Sequence, residues 1–269
     1  MTRPVWTFIA FAYGITWIIL ITGGLLLQQN IITKLQFDIL YLFGALGPCL
    51  GAFWTARFHY GKASVARLWA TFSFKNWNKT VWLLILSPWL LFAVGLLVYR
   101  IITGAWFTFA ITKQQFELGS GEAYFAWITP FFVYAFLEEV GWRGFLLPHL
   151  QAQRTAFSAT ALLTLIWGGW HLPMFWVRFD FSIGIAIGFF FGIFVGALIL
   201  TALFNQSKGS IGAAILFHLN NNLASAFEQQ YVVAVLSTGF VLLAIYLLRQ
   251  YGAVNLSATP RIKNFYQLP

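Results

Sequence analysis

The sequence predicts an all-α fold, a polytopic bundle of about eight transmembrane helices. The first reason is composition: 60% of the 269 residues are hydrophobic, 9% are charged and mean hydropathy is +0.77. No soluble domain of this length is so apolar. The second is segmentation into eight apolar runs, 5–27, 37–56, 81–101, 124–147, 158–176, 183–204, 209–227 and 230–248. Each is long enough to cross a hydrocarbon core of about 30 Å. The third is the placement of charge. With an even span count both termini share a side, which receives twelve of the sixteen Lys and Arg, while Lys34, Arg100, Lys113 and Arg178 fall opposite. Positive charge concentrates on the cytoplasmic side of membrane proteins, so both termini are expected there. The protein reads as an integral, multi-pass protein of the cell membrane.

Residues 5–27 read as a first span, because the apolar run is too long for a signal peptide and no small-residue cleavage site follows. Span 37–56 holds Cys49, the single cysteine, which excludes internal disulfides and Cys-based metal cages. The stretch 57–80 is basic and aromatic, with Arg57, Lys62, Arg67, Trp69, Lys75 and Trp77. It predicts an interfacial helix and turn rather than a nucleic-acid patch, despite a net charge of +9. The last two spans are joined so closely, around Glu228-Gln229-Gln230, that they predict a helical hairpin. No internal repeat and no separate soluble domain interrupts the chain. It reads as one membrane domain, 1–269, with the chemistry concentrated in 124–226.

Three polar constellations stand inside these spans. Span four carries Glu138, Glu139 and Arg143, and no other acidic residue falls in the apolar interior. Ionisable residues within a span are costly and point to function. Glu139 and Arg143 are four apart and share a helix face. Glu138 points about 100° away, which leaves one carboxylate free of the cation. Span five carries Trp167-Gly168-Gly169-Trp170-His171-Leu172-Pro173, whose glycines and proline predict a loosened helix beside His171. Span seven carries His218-Leu219-Asn220-Asn221-Asn222, with His218 and Asn222 on one face. Three consecutive Asn suit a wet cavity or bonds between helices.

Depth brings the three together. Midway between 138 and 171 lies the polar turn Gln153-Arg154-Thr155, so Glu138 and His171 sit at one height on antiparallel helices. Glu138 and His218 each lie nine residues from the cytoplasmic end of their spans, at Leu147 and Gly209. That is about 14 Å at the helical rise. A carboxylate, two imidazoles and a carboxamide thus converge near the bilayer midplane. A free carboxylate beside an imidazole can take a proton from water. His218 and Asn222 can donate to a developing oxyanion. Together these groups make a hydrolase of acyl bonds, acting on a substrate that arrives through the membrane.

Other intramembrane chemistries lack their residues. There is no H-E-x-x-H zinc motif. Gly119-Ser120-Gly121 lies in an outer loop, Asp38 and Asp180 lie near the outer boundary, and Lys208 with Ser210 sits at a span edge. No cofactor is required, although zinc held by Glu138, His171 and His218 is chemically open.

The pattern Glu-Glu-x-x-x-Arg, then aromatic-x-x-x-His, then His-x-x-x-Asn resembles the three motifs of the CPBP family. This group includes CAAX-type prenyl endopeptidases and bacteriocin-processing membrane proteins. The resemblance covers about 124–226 and implies an eight-span core and a glutamate-dependent intramembrane endopeptidase, for which zinc has also been argued. It implies that Glu138 activates water, that Glu139 and Arg143 support it, that His171 helps hold the water, and that His218 and Asn222 bind the oxyanion. Trp167 stands where the family usually has Phe, a departure expected to alter the pocket wall but not the chemistry. A membrane-anchored peptide or a prenylated protein is the implied substrate, and the bilayer the implied medium. A non-enzymatic scaffold or bacteriocin-immunity protein on the same fold is the alternative, and a proton relay or transporter a third.

Overall fold

The computed structural model describes residues 1–75, 77–177, 182–227, 229–263 and 266. Its elements are α1 (Arg3–Gln28), α2 (Lys34–Gly44), α3 (Leu46–Tyr60), α4 (Lys62–Ala70), α5 (Lys79–Thr103), α6 (Phe109–Gln115) and α7 (Gly121–Gly141). A π-helical turn (Trp142–Leu146) follows, then α8 (Leu147–Gln151), α9 (Ala156–Trp170), α10 (Leu172–Val177), α11 (Ile183–Gln206), α12 (Ile211–Ser225) and α13 (Gln230–Asn255). There is no strand among the described residues. The predicted all-α bundle is therefore what is found.

Polar residues at the predicted boundaries cap the helices. The side chains of Asn78, Ser120, Thr155, Ser182 and Ser210 each accept a backbone N–H of the following first turn. Such caps satisfy donors that the helix itself leaves unpaired.

All eight predicted segments contain helix, with differences in detail. Five units are long and apolar enough to cross a membrane: α1, α2 with α3, α5, α11 and α13. α7, α9 and α12, which carry the three polar motifs, do not meet that condition alone. α9 and α12 have only 15 residues each, and α7 carries the carboxylates and runs into the π turn. The expected span 37–56 breaks at Ala45, between α2 and α3. The expected span 158–176 is interrupted at His171, as the Gly pair and Pro173 suggested. The basic stretch 57–80 forms the short helix α4 after a turn at Gly61, whose φ of +79° suits glycine. Arg178 and Asp180, assigned by the sequence to the side opposite the termini, and Glu228 of the expected hairpin joint lie outside the described residues.

The site is positioned by close helix approaches and by hydrogen bonds between helices. A Cβ on Gly141 would lie 2.7 Å from the Pro48 carbonyl oxygen, so glycine lets α3 abut the end of α7. Trp170 Nε1 donates to Thr16 Oγ1 at 2.8 Å, and Thr16 Oγ1 donates to the Gly44 carbonyl at 2.7 Å. This relay ties α9 to α1 and α1 to α2. Tyr13 OH donates to the Ile166 carbonyl at 2.5 Å and Tyr134 OH to the Tyr41 carbonyl at 2.7 Å. In lipid, where apolar burial drives little helix association, such polar contacts and close packing fix the arrangement.

Candidate active site

Glu138, Glu139 and Arg143 sit at the junction of α7 and the π turn, and all are buried. A π turn inserts an extra residue into the helix, a feature often found at functional sites. Arg143 Nη1 donates to Glu139 Oε1 at 2.8 Å, the pair expected from the spacing. The guanidinium also lies over the Trp167 ring, 4.5 Å from its centroid, a cation–π contact.

Glu138 is free of the cation, but it is not unbonded. Its Oε2 accepts from Trp142 Nε1 at 3.0 Å and from Trp167 Nε1. Neither indole is read as a hydrogen-bonding group in the sequence. Trp142 could have been found there, because it lies four residues after Glu138 on the same helix. Trp167 could not, because it reaches Glu138 from α9. The departure to Trp at this position therefore bears on the chemistry as well as on the pocket wall.

His171 closes α9, and its Nδ1 lies 2.8 Å from the Trp167 carbonyl oxygen. A carbonyl only accepts, so Nδ1 carries the proton and Nε2 of the neutral ring keeps its lone pair. His218 Nδ1 lies 2.8 Å from Glu139 Oε1. The second imidazole thus bonds the supporting carboxylate, not Glu138. Asn222 Nδ2 donates to the Phe131 carbonyl at 3.4 Å, which leaves its second N–H available. Asn220 bonds the Ile85 carbonyl at 2.8 Å and acts as glue between α12 and α5.

These groups meet at one cavity of about 1010 Å³. Glu138, Trp167, His171, His218, Asn221 and Asn222 contribute to its wall, and most of the remainder is apolar and aromatic. Glu139 and Arg143 stand behind it. Among the described residues no three His, Cys, Asp or Glu side chains converge closely enough to hold a metal ion together.

Residues 120–224 match the family model for type II CAAX prenyl endopeptidase Rce1-like proteins. Over 124 residues the chain is 32% identical to CAAX prenyl protease 2 of Methanococcus maripaludis. That match covers 41% of this chain and 45% of the relative, so the likeness spans less than half of either protein. The matched segment contains all three motifs, from Glu138 to Asn222. By these motifs and matches, the segment 120–224 is similar to the CPBP family.

Proposed function

We propose that the protein is an intramembrane endopeptidase that hydrolyses a peptide bond of a membrane-anchored or lipid-modified substrate. The observation that carries this reading is the placement of Glu138. One of its oxygens is anchored by two indoles, at the wall of a large, mostly apolar cavity that also holds His171, His218 and Asn222. Water between Glu138 Oε1 and His171 Nε2 gives a proton to the carboxylate as its oxygen attacks the carbonyl carbon. Asn222 donates to the oxyanion through its free N–H. His218, held by Glu139 through Nδ1, stands as the second oxyanion-binding group. Each such donor is typically worth about 3 kcal/mol in rate. Protonated Glu138 then passes its proton to the leaving amine.

The access route supports a substrate held in the membrane. Gly188, Gly192 and Gly196 stand at successive four-residue steps on α11 and line the same cavity. Nothing lies within 4 Å of where their Cβ atoms would be. A smooth wall of this kind admits an extended chain, lipid or peptide, alongside α11. A prenylated protein is the substrate class suggested by the family match, and both termini belong on the cytoplasmic side by the charge distribution.

The test is cleavage of membrane-anchored peptides, with and without a prenyl group, by the purified protein in detergent. Glu138→Gln is expected to lower cleavage by orders of magnitude, to a small residual rate, while leaving the unfolding midpoint unchanged. Wild-type rates in that variant would exclude a glutamate base. Loss of wild-type activity with a chelator, restored by zinc, would replace the metal-free mechanism with a metal-dependent one.

A further inference from the structure

We infer that Trp167 is a positioning residue: its indole N–H fixes Glu138 against the helix that carries His171, and so selects which carboxylate oxygen faces the reacting water. This rests on the hydrolase reading above. Four contacts of one residue support it. Its Nε1 donates to Glu138 Oε2. Its carbonyl accepts from His171 Nδ1 at 2.8 Å. Its ring lies under Arg143 at 4.5 Å and meets His218 edge-on at 5.9 Å. Trp167 is thus joined to the base, to the water-holding imidazole and to the groups behind them.

The two indoles are not equivalent. Trp142 lies on the same helical stretch as Glu138 and moves with it. Its bond cannot set the distance from Glu138 to another helix. Trp167 lies on α9, four residues before His171. Its bond to Glu138 and its carbonyl bond to His171 place acid and imidazole in one frame. Together the indoles fill Oε2, since a carboxylate oxygen offers about two lone-pair sites. No donor among the described residues bonds Oε1. That oxygen is therefore the one available to take the proton.

The experiment compares wild type, Trp167→Phe, Glu138→Gln and the double variant, each as the full chain in detergent micelles. Phe keeps an aromatic ring in the wall and removes only the donor. Loss of a hydrogen bond to a charged group predicts a fall in kcat of roughly 10- to 100-fold. KM should stay within about twofold, because no substrate contact is removed. In the Glu138→Gln background the same substitution should add no further loss, since nothing remains to be positioned. A purely structural defect would instead multiply with the first.

A second readout needs no substrate. The Trp167 indole resonance in protein labelled with ¹⁵N-tryptophan, assigned by its disappearance in Trp167→Phe, should shift in Glu138→Gln. Wild-type kcat in Trp167→Phe, a change in KM alone, or an indole resonance indifferent to Glu138→Gln would each overturn the assignment. Normal cleavage by Glu138→Gln would defeat the hydrolase reading instead, and the indole shift would still decide whether Trp167 holds the carboxylate. If Trp167→Phe fails to fold, the resonance is assigned by elimination from the other Trp→Phe variants, and its response to Glu138→Gln decides.

Discussion

Replacing Arg143 with Leu should destabilise the protein far more than replacing Arg143 and Glu139 together. Glu139 and Arg143 are both fully buried and bonded at 2.8 Å. In Arg143→Leu the carboxylate keeps only His218 Nδ1, also at 2.8 Å, and no charge compensates it. Breaking a buried pair from one side typically costs about 3–5 kcal/mol, because a charge is left without a partner. Part of that loss is the cation–π contact with Trp167, about 2 kcal/mol when desolvated. In Glu139→Gln/Arg143→Leu both charges are gone, and the amide oxygen still accepts from His218. The pair itself is imperfect: Glu139 Oε2 and Arg143 Nε and Nη2 have no hydrogen-bond partner among the described residues. Its neutral replacement should therefore cost only about 1–2 kcal/mol, since such exchanges are often close to neutral. With Glu139→Gln as the fourth corner, the cycle should give a coupling of about 2 kcal/mol or more. The assay is reversible unfolding in mixed micelles titrated with SDS. Additivity within about 0.5 kcal/mol would refute the claim that the two charges hold each other in the interior.

Two further outcomes test the access route and the brace behind the π turn. Gly192→Leu places a side chain in the cavity wall, so KM for a long-chain substrate should rise severalfold while stability holds or improves, because Leu favours the helix over Gly by close to 1 kcal/mol. An unchanged KM would remove α11 from the substrate path. Tyr266 OH donates to the Gly144 carbonyl at 2.8 Å, inside the π turn that carries Arg143, and burial pushes its phenol well above the usual tyrosine range. Tyr266→Phe should cost about 1 kcal/mol. A raised folded-state value means that this contribution is fully present below about pH 10, the unfolded value, and is lost as pH rises through the folded value. The stability gap between wild type and Tyr266→Phe should thus be flat from neutral pH to about 10 and narrow above it. A gap that widens there would reverse the sign.

Composition and periodicity determined much of this protein from the sequence alone. Apolar runs set the positions of the helical segments, because chain crossing lipid must satisfy its own backbone. Residues four apart share a face, so the Glu139–Arg143 pair and the separation of Glu138 from it are legible in the sequence. Counting along the spans set Glu138, His171 and His218 at one height, and these three line one cavity together with Asn222.

The tertiary structure decided which atoms bond across helices. Trp167 reaches Glu138 from α9, His218 bonds Glu139 and not Glu138, and Tyr266 braces the π turn from the far end of the chain. Such bonds depend on helix rotation, tilt and separation. Those are set by close packing, such as Gly141 against Pro48 and the Thr16 relay between α9 and α2. The breaks at Ala45 and His171 and the extra residue in the π turn shift register locally, in ways that straight-helix counting does not register. Spacing along one helix fixes which side chains share a face. Only packing between helices fixes which of them meet.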